Sequence, residues 1–317
     1  MKSFFTIGEP MALLSAIQSG SLNTVDGFTR SLAGAEANVA IGMARLGFHT
    51  YYLSKVGTDC FGRFIVDTLE NEGVDTRYIT SSSSHSTGMV VKALSQDGSD
   101  PAVDYLRKNS AASSMHCHDF SDVVIESDSH LHVTGISLAL SPHTNELCHD
   151  LVSRAQRSGA SISFDPNIRP ALWTSEQDMV SALNDMAMRC NIVLPGLSEG
   201  CLLTGFETPE EIAQFYLSSS NVTLVVIKLG ENGAYYHDKT RGEGYIDAVE
   251  VRHIVDTVGA GDAFAVGCVS ALLENLDLQQ AIGRATLFGA TALTVRGDNE
   301  SLMNREQLLR MQGATLV

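Results

Sequence analysis

Short apolar runs alternate with longer amphipathic stretches along most of the chain. Six apolar runs predict buried strands, at residues 4–8, 50–56, 130–134, 161–165, 192–195 and 224–228. The intervening stretches predict helices at 35–46, 61–72, 144–158, 175–188 and 208–217, and the chain after residue 260 predicts two more, 260–273 and 278–292. This alternation is typical of a mostly parallel sheet with helices on both faces. The pattern therefore predicts a doubly wound α/β fold.

Two segments, residues 11–32 and 87–108, interrupt this alternation. Side chains between residues 103 and 108 alternate with a period of two, which is typical of a strand with one covered face. We expect the two segments to form a small β-sheet lid that stands off the main sheet. Neither a repeat nor a linker divides the remainder, so residues 1–317 are expected to form a single domain carrying this lid.

The balance of charges narrows the range of partners. The chain has 21 Lys and Arg against 37 Asp and Glu, a net charge of −16. Nucleic acids and anionic membranes both require a basic surface, so neither is an expected partner. Six scattered cysteines without a C-x-x-C pair favour free thiols over disulfides or a zinc site. Glu9 and Pro10 interrupt the first apolar run too early for a signal peptide, and no run is long enough to span a membrane, so we expect a cytoplasmic protein.

Candidate chemistry is concentrated where Gly259, Ala260 and Gly261 precede Asp262 at the start of a predicted helix. Exposed N–H groups and the positive end of the helix dipole at such a turn bind phosphate. An aspartate here can simply cap the helix. Beside an anion hole, however, a carboxylate can also accept the proton of a hydroxyl that attacks the bound phosphoryl group. We therefore expect Asp262 to be the general base of an ATP-dependent kinase, kept ionised by the helix start.

Other motifs do not support the functions they suggest. GAGDAF lacks the third glycine of a dinucleotide fingerprint, and GTDCFGRF has Arg63 and Phe64 where a P-loop needs Lys and Ser or Thr. MHCHDF, residues 115–120, is not expected to bind metal, because adjacent side chains point in different directions. His130 and His132 flank a buried run and are expected to be core or sheet-edge groups.

Two signatures resemble those of the ribokinase (phosphofructokinase-B-like) family of carbohydrate kinases. DTVGAGDAF is similar to its C-terminal signature, and AGAEANVAIGMARLG followed by KVGTDCFGRF is similar to its N-terminal one. The resemblance spans nearly the whole chain. It implies a Rossmann-like sheet of about nine strands, a β-sheet lid, and ATP with Mg²⁺ and sometimes a monovalent cation. Its implied site residues are an anion hole at Gly259, Ala260 and Gly261, the base Asp262, an ATP-binding turn with Lys228, Gly230 and Gly233, and Glu199 in metal handling.

Two arginines indicate an acidic sugar. Arg169 in FDPNIRPALW follows a predicted strand, and Arg107 lies near Tyr105 in the predicted lid. Guanidinium groups suit a carboxylate or phosphate, although each arginine could also pair with a local acid or face solvent. Together with TVRGDNE, residues 294–300, these stretches resemble the 2-keto-3-deoxygluconate kinase branch of the family. That likeness implies sugar-acid contacts at Gly34, Asn38, Tyr105, Arg107, Arg169 and Asp298, and it places Asn167 near the nucleotide phosphates.

The expected function is phosphorylation by ATP of the terminal hydroxyl of a sugar acid, with 2-keto-3-deoxy-D-gluconate giving its 6-phosphate as the leading substrate. The alternatives are a neutral-sugar kinase such as a fructokinase, which has no need of two arginines, and a non-catalytic sugar-binding regulator, which has no need of Asp262. The exposed edges of a lid sheet are also compatible with a homo-oligomer formed through the lid.

Overall fold

The computed structural model describes residues 2–94 and 102–314. Its strands are β1 Ser3–Ile7, β2 Met11–Ala16, β3 Phe28–Ala33, β4 His49–Gly57, β5 Ile79–Ser82, β6 Met89–Lys92, β7 Val103–Leu106, β8 His130–Thr134, β9 Ser161–Asp165, β10 Ile192–Val193, β11 Leu224–Lys228, β12 Ala234–Asp238 and β13 Gly242–Ile246. Its helices are α1 Ala35–Arg45, α2 Cys60–Asn71, α3 Gly135–Ala139, α4 Pro142–Ser158, α5 Glu176–Ala187, α6 Leu197–Thr204, α7 Pro209–Leu217, α8 Ala260–Leu273, α9 Leu278–Ala292 and α10 Arg305–Ala314.

Within these residues the main sheet has nine strands, in the order β13-β12-β11-β10-β9-β8-β1-β4-β5. The strands from β11 to β5 in that order pair in parallel, whereas β12 and β13 add an antiparallel edge. The chain winds outward from β1 in both directions, through β4 on one side and β8 on the other. Ligands of doubly wound sheets bind at the carboxyl ends of the strands beside such a reversal.

Helices cover both faces of the main sheet. Along β11, Leu224 and Val226 point into one core with α1, α8 and α9, whereas Val225 and Ile227 point into the other with α4, α5 and α7. Because alternate residues of a strand face opposite sides, a strand buried on both faces is apolar throughout. The predicted doubly wound α/β class is confirmed.

A second, small sheet has the order β3-β2-β6-β7. Strand β2 pairs antiparallel with β3 and parallel with β6, and β6 pairs antiparallel with β7. All four strands come from the two segments that interrupt the α/β alternation, although residues 95–101 of the second segment lie outside the described part of the chain. Strand β7 ends at Leu106, so Arg107 follows the strand rather than lying on it.

Several helix ends are set by the local sequence. The carboxylate of Asp59 accepts hydrogen bonds from the N–H groups of Phe61 and Gly62 and so caps α2. GTDCFGRF is therefore a capped helix start. The helices predicted before residue 260 agree with α1, α2, α4, α5 and α7 to within two residues, but β5 and the antiparallel pair β12 and β13 were not predicted. In the described residues, no helix combines the length and apolar character needed to cross a membrane.

Candidate active site

A cavity of about 520 Å³ opens at the carboxyl ends of β9 and β11, between the main sheet and the small sheet. Leu13 and Val90 line it from the small sheet, and Asp165 and Lys228 line it from the ends of the two main-sheet strands. We call it the active-site cavity. The predicted site residues that line it are Gly34, Asn38, Tyr105, Arg107, Asn167, Arg169, Glu199, Lys228, Gly259, Gly261, Asp262 and Asp298.

Three predicted site residues do not line the cavity. Ala260 begins α8 and packs against the adjacent core. Gly230 and Gly233 belong to the short turn after β11, where both adopt positive φ angles of 61° and 83°. The structure therefore brings most, but not all, of the predicted residues together.

Asp262 lies in the first turn of α8 and is only 9% exposed. The side-chain amide of Asn38 donates to its Oδ2 at 2.8 Å, and that of Asn167 donates to its Oδ1 at 3.3 Å. Asn167 has a left-handed φ of 37°. Asn38 comes from α1 and Asn167 from the loop after β9, so elements distant in sequence fix the orientation of this carboxylate.

Burial raises the pKa of Asp262 to about 6, against the lowering effect of the Asn38 hydrogen bond. The nearby carboxylates of Asp165 and Glu36 raise it further, and Lys228 lowers it. The sequence predicted an ionised carboxylate but not its raised pKa, which comes from desolvation and from negative charges that are distant in sequence. A pKa near 6 still leaves Asp262 mostly ionised at neutral pH, and it is suited to accepting a proton there.

The backbone before Asp262 forms an open cradle. Gly259 precedes α8 with a left-handed φ of 76°, and a Cβ placed there would lie 2.5 Å from the carbonyl oxygen of Asp298. No side chain caps this helix start. The first N–H groups of a helix have no partner within the helix, so those at this end are free to bind the oxygens of an anion.

Lys228 brings a positive charge beside the cradle. Its Nζ donates to Oδ2 of Asp165 at 2.7 Å, and a Cβ on Gly261 would lie 3.7 Å from the same nitrogen. Burial by itself lowers the pKa of Lys228, but Asp165, Glu199 and Asp262 raise it by more. The lysine therefore stays protonated and can face phosphate oxygens.

Glu199 holds two loops together. Its Oε1 accepts from the N–H of Ile168 at 2.8 Å, and its Oε2 accepts from the N–H of Gly196 at 2.7 Å. The first bond joins the loop after β9 to α6. Among the described residues, no group of three or more His, Cys, Asp or Glu is placed to hold a metal ion. The role of Glu199 in metal handling stays a prediction.

Two guanidinium groups lie at the cavity, and their surroundings differ. Arg107 donates through Nε to the buried carboxylate of Glu9 at 2.7 Å, and its Nη2 forms an ion pair with the same oxygen. Arg169 donates to the carbonyl oxygen of Ile168 at 3.0 Å, and no carboxylate of the described residues pairs with it. Arg107 is therefore partly neutralised, whereas Arg169 retains its full charge for a ligand.

A further ion pair, between Lys92 and Asp256, lies beside the segment that precedes α8. Lys92 of the small sheet contacts Asp256 at 3.3 Å, and both residues line the cavity. Burial raises the pKa of Asp298 to about 7, and the charge of Asp262 raises it further. The carboxylates of Asp262 and Asp298 thus compete for protons.

Sequence reasoning did not assign Glu9, Lys92, Asp165 or Asp256 to the site. Glu9 follows the buried strand β1, and Asp165 is the last residue of the buried strand β9. A charged residue at the carboxyl end of a buried strand was the signal that could have identified both. Lys92 and Asp256 are separated by 164 residues. Nothing in the sequence links that pair.

The chain is similar to known carbohydrate kinases over most of its length. Residues 1–305 match the model of the pfkB family carbohydrate kinases. The chain is 44% identical over 304 residues to the 2-dehydro-3-deoxygluconokinase of Bacillus subtilis (strain 168), covering 96% of this chain and 93% of that protein. It is 34% identical to the 2-dehydro-3-deoxygluconokinase of Thermoproteus tenax, covering 98% and 95% of the two chains. The crystal structure of a putative ribokinase II from E. coli, in complex with ATP and Mg²⁺, superposes with a TM-score of 0.87 at 27% identity, covering 99% of this chain and 100% of the other.

Proposed function

The chain belongs to the pfkB family of carbohydrate kinases, and from that premise we propose that it transfers the γ-phosphoryl group of ATP to the terminal hydroxyl of 2-keto-3-deoxy-D-gluconate. One observation carries the proposal: a single cavity contains a buried carboxylate at a helix start, Asp262, and two guanidinium groups, Arg107 and Arg169. The similarity to two 2-dehydro-3-deoxygluconokinases supports the same substrate.

Asp262 is proposed to orient the attacking hydroxyl and accept its proton as the new O–P bond forms. With a pKa of about 6, its carboxylate is a stronger base than an ordinary aspartate and remains ionised at neutral pH. The two amides that donate to it, Asn38 to Oδ2 and Asn167 to Oδ1, hold the carboxylate in a fixed orientation. Such preorganisation avoids the cost of reorientation during the reaction.

The glycine cradle is proposed to stabilise the negative charge of the phosphoryl group in transit. The free N–H groups at the start of α8 and the ammonium of Lys228 lie on one side of the cavity. ATP would supply the phosphoryl group and leave as ADP. Mg²⁺ prefers oxygen ligands and keeps several waters, so it fits this site as an ion held chiefly by phosphate oxygens, with the Glu199 carboxylate in the same cavity.

Arg107 and Arg169 are proposed to hold the substrate carboxylate and so place the far hydroxyl at Asp262. Tyr105 and Gly34 complete this end of the cavity. The small sheet, which contributes Leu13 and Val90 to the same cavity, is proposed to close as a lid and exclude water from the reaction.

A neutral-sugar kinase such as a fructokinase is the rival, and the pairing of Arg107 with Glu9 favours it. A guanidinium already neutralised by a buried carboxylate gains less from a second one. Arg169, unpaired among the described carboxylates, is therefore the residue that separates the two functions.

Release of ADP from Mg·ATP should be measured with 2-keto-3-deoxygluconate, 2-keto-3-deoxygalactonate, fructose, ribose and adenosine. We expect a preference for a keto-deoxy acid, and Arg169→Ala should reduce kcat/KM for the acid by about 10–100-fold, the loss of one charge-assisted bond pair. Arg157→Ala, an exposed arginine at the end of α4, is the matched control. Preference for fructose, or equal losses for acid and neutral sugar in Arg169→Ala, would contradict the proposed substrate.

A further inference from the structure

A second cavity, of about 730 Å³, lies against the same two arginines. It shares Tyr105, Arg107 and Arg169 with the active-site cavity, and its remaining lining comes from other elements. Ala139, Leu140 and Leu172 form an apolar wall. We call it the histidine cavity, because His85, His116 and His143 line it together with Lys108. Arg107 and Arg169 thus separate two pockets and contact both.

The lining of the histidine cavity is cationic. Lys108 and Arg169 carry positive charge there, and Arg107 lies against the same cavity although it is paired with Glu9. No Asp or Glu of the described residues lines the cavity. This composition is unexpected in a chain with a net charge of −16. Neither Lys108 nor Arg169 forms an ion pair with a described carboxylate. Cations without counter-charges in a concave site attract an anion.

Three imidazoles from different elements converge beside these cations. His116, which precedes the short 3₁₀ turn Cys117–Phe120, and His143 from the first turn of α4 have ring centroids 4.0 Å apart. The ring of His118 stacks on His116 at 5.2 Å. The Nδ1 of His85 is 3.0 Å from the hydroxyl of Ser84. Sequence reasoning discounted His116 and His118 as metal ligands, and it could not have placed His143 beside them.

The protonation of this group is sensitive to its neighbours. Burial lowers the pKa of His116, and the charges of His143, His118 and Lys55 lower it further, whereas Asp119 raises it. The Asp119 carboxylate is already paired with Nζ of Lys55 at 2.6 Å and accepts from the N–H of His116 at 2.8 Å. A bound anion would place a negative charge beside the ring of His116 and would therefore favour its protonated form.

We propose that the histidine cavity binds a small doubly charged oxyanion, the phosphate group of inorganic phosphate or of a phosphorylated sugar acid, and that this anion competes with the substrate carboxylate for Arg107 and Arg169. The binding site stands on the geometry of the cavity alone. The competition rests on the proposed function, because it assumes that the two arginines hold a carboxylate in the active-site cavity.

Binding should be measured by isothermal titration calorimetry with sulfate, which keeps its double charge at every pH used. Saturating Mg²⁺ and a non-hydrolysable ATP analogue should be present to occupy the glycine cradle, which could otherwise bind the same ion. We expect one saturable site whose affinity is higher at pH 6 than at pH 8, because the bound anion favours the protonated form of His116. The fluorescence of Trp173, the only tryptophan of the chain and the residue after Leu172, gives an independent readout.

Substitutions separate this cavity from the glycine cradle. His116→Gln with His143→Gln should weaken sulfate binding at pH 6 at least tenfold. His118→Gln is the matched control, because its ring stacks on His116 without lining the cavity, and it should change the affinity less than twofold. Thermal unfolding verifies that each variant is folded, and Lys108→Gln, an exposed position, offers a second test by the same titration. Unchanged binding in the double variant, or no saturable binding to the wild type, would overturn the proposal.

Two further measurements identify the source of the bound phosphate group and test the proposed competition with the substrate. The affinities of inorganic phosphate and of the phosphorylated sugar acid should be measured separately. Equal affinities would indicate that only the phosphate group is recognised, and tighter binding of the sugar acid would indicate contacts with the sugar as well. Inorganic phosphate should raise KM for the sugar acid in the wild type without changing kcat, and it should do so much less in the double histidine variant. Saturable binding without any effect on KM would confirm the binding site and refute the competition. The binding can be measured even if the substrate is a neutral sugar.

Discussion

Replacement of Asp262 by asparagine should abolish most activity and at the same time make the protein more stable. Asparagine retains the size of the side chain and one oxygen, which can accept from Asn38 at the position of the shorter bond. Its NH₂ group replaces the oxygen that accepts the longer, 3.3 Å bond from Asn167. Asparagine cannot accept a proton from the substrate, so kcat should fall on the order of 10²–10⁴-fold. Because the side chain keeps its size and Arg107 and Arg169 are unchanged, KM for the sugar should change little.

The gain in stability follows from the raised pKa. The folded protein has a pKa of about 6 at Asp262, whereas the ordinary value is 3.8. A group whose pKa is raised on folding binds its proton more tightly in the folded state, so the free energy of unfolding falls as pH rises from 3.8 towards 6 and is constant above it. The ionisation of Asp262 therefore lowers the free energy of unfolding by about 3 kcal/mol at pH 8 and by about half of that at pH 5.

Urea unfolding of the wild type and Asp262→Asn at both pH values measures this directly, beside ADP release at pH 8. The matched control is Asp128→Asn, in an exposed turn, which should change neither quantity. A variant that is less stable than the wild type at pH 8, or equally stabilised at both pH values, would refute the reasoning about burial. An unchanged kcat would refute the assignment of the base.

Three further outcomes follow from the same site. The kcat/KM of the wild type should fall about tenfold per pH unit below pH 6, because Asp262 must be ionised, and a profile that stays flat to pH 5 would exclude it as the titrating base. Gly259→Ala should lose about 1–3 kcal/mol of stability and most activity, because alanine is strained at a φ of 76° and its Cβ would lie 2.5 Å from the carbonyl oxygen of Asp298. Gly283→Ala, whose Cβ meets nothing within 4 Å, is the control and should be neutral or stabilising in the same urea titration. Glu9→Gln should cost on the order of 3 kcal/mol of unfolding free energy by leaving the Arg107 guanidinium without its counter-charge, and a cost below about 0.5 kcal/mol would show that the pair is not needed for stability.

The local elements were largely predictable because they depend on local patterns. The apolar run 224–228 predicted β11, and the amphipathic stretch 175–188 predicted α5, Glu176–Ala187. The hairpin of β12 and β13 was missed, because its second strand contains two glycines and few apolar residues. The glycine-rich start of α8 identified Asp262 as a candidate, because glycines before a helix leave its N–H groups exposed.

The sequence by itself determined the α/β class, the order of most elements and the residue types of the site, since strand and helix periodicity and glycine-rich turns are local features. Only the tertiary structure decided what surrounds each charge. Asp262 has a raised pKa because it is buried and because Asp165 and Glu36 lie near it. Arg107 is partly neutralised by Glu9, and the ring of His143 contacts that of His116 at the histidine cavity. Desolvation and Coulomb interactions depend on distance and burial in space, and residues far apart in the chain provide both.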